Sequence, residues 1–382
     1  MIETYLSGSI RQSNERAHQL RNIAQSTLPR EYDGLRQICL GHLTRIQDGL
    51  NALSRETVAD PTLQTPLRLR KFKRLIEGLN AVENVGIFAL KKVSDEDIAL
   101  NRIITEISTE ISYPLINPVV SHMSQEYLHI FPGFNLLCLP LLESNFLLHL
   151  PDIYHELCHP LHRQLDLPKL APYASAFQAA LIEIVLELKQ LEIAADRLVN
   201  QTGRIAQFQM WRKCWVEYWM EEFFCDLFGI FTVGPAYAWA HYHLCAKRGD
   251  NPFATPVARV TAHPADDARM RAMVAMLRLF DEFETDASNI DRAWRELVTV
   301  MQQKPNADYY TCFPDRVIDI VARTAKKGIH GIAVKAANSD GASRIRDLLN
   351  NAWRIFWEDP NAFSEWEKQQ ARKLRELVPV DH

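Results

Sequence analysis

The sequence predicts a mainly helical fold with one small strand-bearing segment. Two observations carry that expectation: long stretches in which apolar residues recur at steps of three and four, and a single compact apolar run with strand character. From Leu35 onward, Leu35, Cys39, Leu43, Ile46, Leu50 and Leu53 fall on one helical stripe, and Ala17, Leu20 and Ala24 repeat the rhythm just upstream. With Pro29 between them, the two segments form an antiparallel hairpin whose apolar faces pack together or dock a partner. The stretch from Asp60-Pro61 to Thr65-Pro66 reads as a loop. The basic cluster Arg68, Arg70, Lys71, Lys73 and Arg74 reads as a solvated helix face, with Phe72, Leu75 and Leu79 turned the other way. Prolines at 114, 118, 132 and 140 change the texture, and Phe134–Leu139, after a Pro132-Gly133 turn, is the best strand candidate. Beyond Ala287 the helical pattern returns, with a glycine-bearing loop around Asn338–Gly341 and an aromatic final segment.

A chain of 382 residues is long for one core of ~100–200 residues. The expected division is a helical domain over 1–110, a domain carrying the chemistry over 111–285 and a helical region over 286–382. With 47% hydrophobic and 24% charged residues the chain is globular in composition, and a formal net charge of −4 gives no global reason to expect nucleic acid or an anionic membrane as partner. Seven scattered cysteines in apolar surroundings read as reduced core thiols, and the N-terminus lacks a basic region followed by an apolar run. A cytoplasmic protein is the expectation. The apolar stretch Phe223–Ala246 contains Asp226, His241 and His243 and a Gly234-Pro235 break, which favours a buried helix and turn over a membrane span.

The chemistry concentrates at His155-Glu156-Leu157-Cys158-His159. Two histidines four apart on a helix project from one face toward one ion, and the glutamate between them is placed to reach a water on that ion as a general base. Pro151 suits a first helical turn, whereas Pro160 should kink or end the helix at His159. A third ligand comes from Glu222, on a later helix that also carries Asp226 one turn on. Asp226 is placed to accept a hydrogen bond from a ligating imidazole. Glu221 competes for the ligand position, but its four-residue step lands on Cys225, so Glu222 is preferred. A carboxylate among Trp211, Trp215, Tyr218, Trp219, Phe223, Phe224 and Phe228 needs a counter-charge. His162, His241 and His243 are expected to serve packing or substrate contact.

A further block, His263-Pro264 followed by Arg269, completes an order of H-E-x-x-H, E-x-x-x-D and H-P-x-x-x-x-R. That order resembles the gluzincin metallopeptidases related to the CAAX prenyl endopeptidase and the bacterial heat-shock protease HtpX. The resemblance implies a zincin-like α+β peptidase core over 111–285, Zn2+ held by His155, His159 and Glu222, and Glu156 as general base. It also implies that His263 stabilises the oxyanion and that Arg269 supports the site by charge pairing, to Asp226 or to the substrate. Members of that family commonly carry transmembrane helices, and none is expected here. The implied activity is hydrolysis of a protein or peptide substrate, with Phe134–Leu139 offering an edge to an extended chain. Two alternatives remain. One is a non-catalytic helical scaffold whose structural zinc is completed by Cys158 or His162. The other is a latent peptidase whose helical regions bind a regulatory partner.

Overall fold

The computed structural model of the protein describes residues 2–56, 61–124, 128–140, 146–196, 202–338 and 343–376, and it is mainly α-helical. The chain forms two compact units, one made of residues 1–105 and 116–141, the other of 106–115 and 142–382. Residues 286–382, expected as a region of their own, therefore belong with the residues of the candidate site. The short sheet, expected beside the site, belongs to the first unit.

In the first unit, α1 (Ile2–Ala24) and α2 (Asp33–Arg55) form the hairpin. Leu35, Cys39, Leu43, Ile46, Leu50 and Leu53 are all buried, and Leu6, Ile10, Ala17, Leu20 and Ala24 join them in one core. α3 (Pro61–Ala81) covers them, so the stretch from Pro61 to Pro66 is helical and not a loop. The physical reason is position: Pro61 opens the helix where an N–H has no intrahelical acceptor, and Pro66, still near that end, removes one hydrogen bond. Asp60 lies outside the described residues. The basic face of α3 has one exception, because Arg68 is buried, paired with Glu3 and bonded to the Leu53 carbonyl. A π-helical segment (Val82–Ile87), α4 (Phe88–Lys91) and α5 (Asp95–Glu110) follow.

The sheet has the order β1 (Val119–Ser121), β3 (Leu136–Cys138), β2 (His129–Phe131), with β1 parallel and β2 antiparallel to β3. The β2–β3 turn closes through Asn135 at φ +48°, a left-handed conformation asparagine tolerates. The strand predicted at Phe134–Leu139 is thus central, and with β1 and β2 paired to its two sides it offers no free edge to a substrate.

The second unit holds α6 (Asp152–Glu156), α7 (His159–His162), α8 (Ala171–Asp196), α9 (Thr202–Cys214), α10 (Met220–Val233), α11 (Pro235–Arg248), α12 (Asp266–Leu277), α13 (Glu284–Val300), α14 (Tyr309–Cys312), α15 (Asp315–Gly331), α16 (Arg344–Glu358) and α17 (Pro360–Glu376). α10 is its centre, packed against α6, α11, α12, α15 and α16. Every residue of α10 from Phe223 to Val233 is buried, which accounts for the apolar run there; Gly234, at φ +78°, turns the chain into α11. Among the described residues one helix, Pro168–Ala194, is long and apolar enough to cross a membrane, with a third of its apolar 18-residue window buried. The loop expected around Asn338–Gly341 falls almost wholly outside the described residues. All seven cysteines are buried and unbridged.

Candidate metal centre

The motif residues sit on two short helices with a bend between them. α6 ends at Glu156 and α7 begins at His159. Pro160 has no N–H to offer the Glu156 carbonyl, so the turn tightens: Cys158 N–H bonds to His155 O at 3.0 Å and Leu161 N–H to Cys158 O at 2.9 Å, both three-residue steps. The Leu157 carbonyl, released by that tightening, accepts the Tyr113 hydroxyl at 2.7 Å.

The carboxylates come from α10, which continues α9 through a π-helical segment, Trp215–Trp219. Two indoles of this stretch pin the loop that leads to His263, Trp211 donating to Pro256 O and Trp219 to Thr261 O at 3.0 Å, while Trp215 donates to Cys312 O. The aromatic cluster noted in the sequence therefore fixes the third motif block against the second.

His155 faces α10 with both ring nitrogens. Its Nδ1 lies 2.9 Å from Asp226 Oδ1 and 3.0 Å from the Tyr237 hydroxyl, and its Nε2 lies 3.6 Å from Glu222 Oε2. Asp226 is fully buried and takes four bonds: Nε and Nη2 of Arg269 at 2.7 and 2.6 Å, the Tyr237 hydroxyl at 2.6 Å, and His155. Burial alone would raise the Asp226 pKa, but the Arg269 guanidinium and the His155 bond hold it far below the ordinary carboxylate range. For His155, burial opposes the charged ring, and the Asp226 bond and charge outweigh it, leaving the pKa above its usual value.

His159 is held the same way by a different residue. Its Nδ1 lies 2.9 Å from Glu221 Oε1. Burial lowers its pKa, yet the Glu221 bond and the charges of Glu156 and Glu222 raise it to about 9. The rings of His155 and His159 stand edge to face with centroids 5.1 Å apart. His263 is the outermost member, 68% exposed at its side chain, with Nε2 3.8 Å from Glu222 Oε2.

Nothing matches this chain among known protein families, curated proteins or solved structures.

The geometry thus brings His155, His159, Glu222, Asp226, His263 and Arg269 to one place, with the Glu156 charge acting on His159. Of the two partners left open for Arg269, it takes Asp226, with both bonds, and it is buried, so it acts on His155 only through that carboxylate. Three contributors were not singled out as such by the sequence. Glu221, which the sequence offers only as a rival metal ligand to Glu222, anchors His159 at Nδ1. Tyr237 donates to Asp226, and Gly229 makes room for it, since a Cβ there would meet the Tyr237 ring at 2.8–3.0 Å. No motif in the sequence marks these positions; only the one-turn step from Glu221 to Cys225 hints that this face is also occupied.

The unit contains donor groups able to hold a metal ion. His155, His159 and Cys225 have ligand atoms within 4.8 Å of one another, and so do Cys158, His162 and Cys225. Cys225 Sγ lies 3.6 Å from His159 Nδ1, and Cys158 Sγ lies 3.2 Å from the Tyr173 hydroxyl, which is 2.9 Å from His162 Nε2. His241 and Cys245 lie elsewhere, beside Asp266.

Proposed function

We propose that this protein is a zinc-dependent peptidase of the gluzincin type, with His155, His159 and Glu222 as ligands and Glu156 as general base. The observation that carries the proposal is that each motif imidazole has its Nδ1 tied to a carboxylate of its own, Asp226 for His155 and Glu221 for His159. Such pairing fixes the ring and its tautomer and reserves Nε2 for a metal. It also favours Glu222 as the third ligand over Cys225: Glu222 stands at the Nε2 side of His155, whereas Cys225 stands at the Nδ1 side of His159, the side already used by Glu221. A tetrahedral ion with bonds of about 2.0–2.2 Å to nitrogen and oxygen separates those donors by about 3.4 Å, and Nε2 and Oε2 stand 3.6 Å apart.

When bound, such an ion lowers the pKa of a water in its open position toward ~7 and polarises the substrate carbonyl. The chain's own residues do the rest. Glu156 accepts the proton of the attacking water and passes it to the leaving amine. His263, at the exposed rim beside Glu222, donates to the developing oxyanion. Asp226, with Arg269 and Tyr237 behind it, keeps His155 from rotating. The substrate is a protein or peptide that reaches the centre from the His263 side.

A second reading is favoured by one contact, the approach of Cys225 Sγ to His159 at 3.6 Å. In it a structural ion takes Cys225 with two histidines, and Glu156 has no chemical task. Metal analysis and peptide-library cleavage by wild type, Glu156→Gln, Glu222→Ala and Cys225→Ser separate the two. The peptidase reading expects one zinc at this centre in wild type, Glu156→Gln and Cys225→Ser, its loss in Glu222→Ala, and cleavage abolished by Glu156→Gln. Loss of that zinc in Cys225→Ser with retention in Glu222→Ala supports the structural ion, and a chain that takes up no zinc there refutes both.

A further inference from the structure

α11 and α12 carry a second set of donors, separate from the groups that include the motif histidines. His241 and Cys245 are four residues apart on α11 and so share a face, and Asp266 is the first residue of α12. His241 and Cys245 are buried, and the Asp266 side chain is 15% exposed. His241 Nε2 lies 3.5 Å from Cys245 Sγ and 3.7 Å from Asp266 Oδ1, and the three donor atoms all fall within 4.8 Å of one another.

These separations have a geometric meaning. For bond lengths of about 2.3 Å to sulfur and about 2.0–2.1 Å to nitrogen and oxygen, a tetrahedral ion places nitrogen and sulfur about 3.6 Å apart and nitrogen and oxygen about 3.4 Å apart. A buried thiol–imidazole hydrogen bond accounts for the first distance as well. The carboxylate, which Arg248 holds in place, stands by the same ring nitrogen at a distance beyond hydrogen bonding but suited to a shared ion.

We propose that His241, Cys245 and Asp266 form a second zinc site, structural in role. Asp266 binds the ion through Oδ1 and keeps Arg248, now on both of its oxygens at 2.8 and 2.9 Å, on Oδ2. The thiol proton of Cys245 leaves to solvent on binding, and a water completes the tetrahedron from the partly exposed Arg248 side. The ion clamps α11 to α12. Tyr237 lies one turn before His241, and Arg269 one turn after Asp266, so the clamp fixes the two side chains that converge on Asp226. This site stands or falls independently of peptidase activity.

The test uses the full chain, stripped of metal under reducing conditions and re-equilibrated with zinc alone or cobalt alone. Elemental analysis is expected to give one zinc fewer per chain than wild type in Cys245→Ser and in Asp266→Asn, with the other centre still filled. The thiolate-to-cobalt absorption should survive in Cys225→Ser and Glu222→Ala and vanish in Cys245→Ser. Asp266→Asn retains a partner for Arg248 and guards against simple misfolding of the cysteine variant. Unchanged stoichiometry and unchanged absorption in Cys245→Ser overturn the proposal, as does a wild-type chain whose bound metal is lost entirely in Glu222→Ala.

Discussion

Replacing Arg269 with methionine removes the cation that shares a fully buried carboxylate. Asp226 loses two of its four bonds, at 2.7 and 2.6 Å, while Tyr237 and His155 stay. Stripping one partner from a buried pair costs about 3–5 kcal/mol. The remaining donors, Tyr237 and His155, place the loss toward about 3 kcal/mol, roughly a hundredfold in the folding equilibrium. All eight tryptophans lie between Trp211 and Trp366, in the second unit, so urea unfolding of the metal-free protein followed by their fluorescence reports on this unit. The pH dependence carries a sign. The Asp226 pKa is depressed in the folded state, so its stabilisation is fully present above the unfolded value of about 3.9 and is lost as pH falls below that toward the folded value. The gap between wild type and Arg269→Met should therefore be constant near neutrality and narrow below pH ~4. Asp226→Leu with Arg269→Met should recover much of the loss, because two apolar residues leave no charge stranded. A loss under ~1 kcal/mol at neutral pH, or single-variant losses that simply add in the double variant, would refute the idea that Arg269 acts by neutralising Asp226.

Three further outcomes follow from the same geometry. His159 has its folded pKa raised to about 9, so in metal-free protein its contribution is fully present below about pH 6.5 and lost as pH rises through about 9; Glu221→Gln should flatten that loss in denaturation series at several pH values and weaken zinc affinity by about 10–100-fold. Gly229→Ala forces a Cβ within 2.8–3.0 Å of the Tyr237 ring and should cost about 1–3 kcal/mol, while Tyr237→Phe, which keeps the ring and loses only the hydroxyl, should cost about 1 kcal/mol in the same assay. In the first unit, Leu43→Ala should lose about 2–5 kcal/mol by circular dichroism, and Leu67→Ala, at a position 54% exposed, should stay within about 0.5 kcal/mol.

The sequence by itself determined what is local. A 3.6-residue period fixes which side chains share a helix face, so the hairpin stripe from Leu35 to Leu53, the pairing of Glu222 with Asp226 on α10, and the break that Pro160 imposes could be read before any packing was known. The tertiary structure decided what lies across from each face. His159 and Glu221 are 62 residues apart, and Asp226 and Arg269 are 43 apart, and nothing in either segment's periodicity says which will oppose which. The same holds for β3: an apolar run announces a strand, but whether that strand has a free edge depends on β1 and β2, whose three residues each are too short to leave a periodic trace. Pro61 and Pro66 mislead for a related reason: proline suits the first turn of a helix but disfavours its interior, and only the packed structure shows that Pro61 opens α3 and that the helix runs on through Pro66. Tyr237 reaches Asp226 because Gly229 lacks a side chain, a fit between two helices that no motif records.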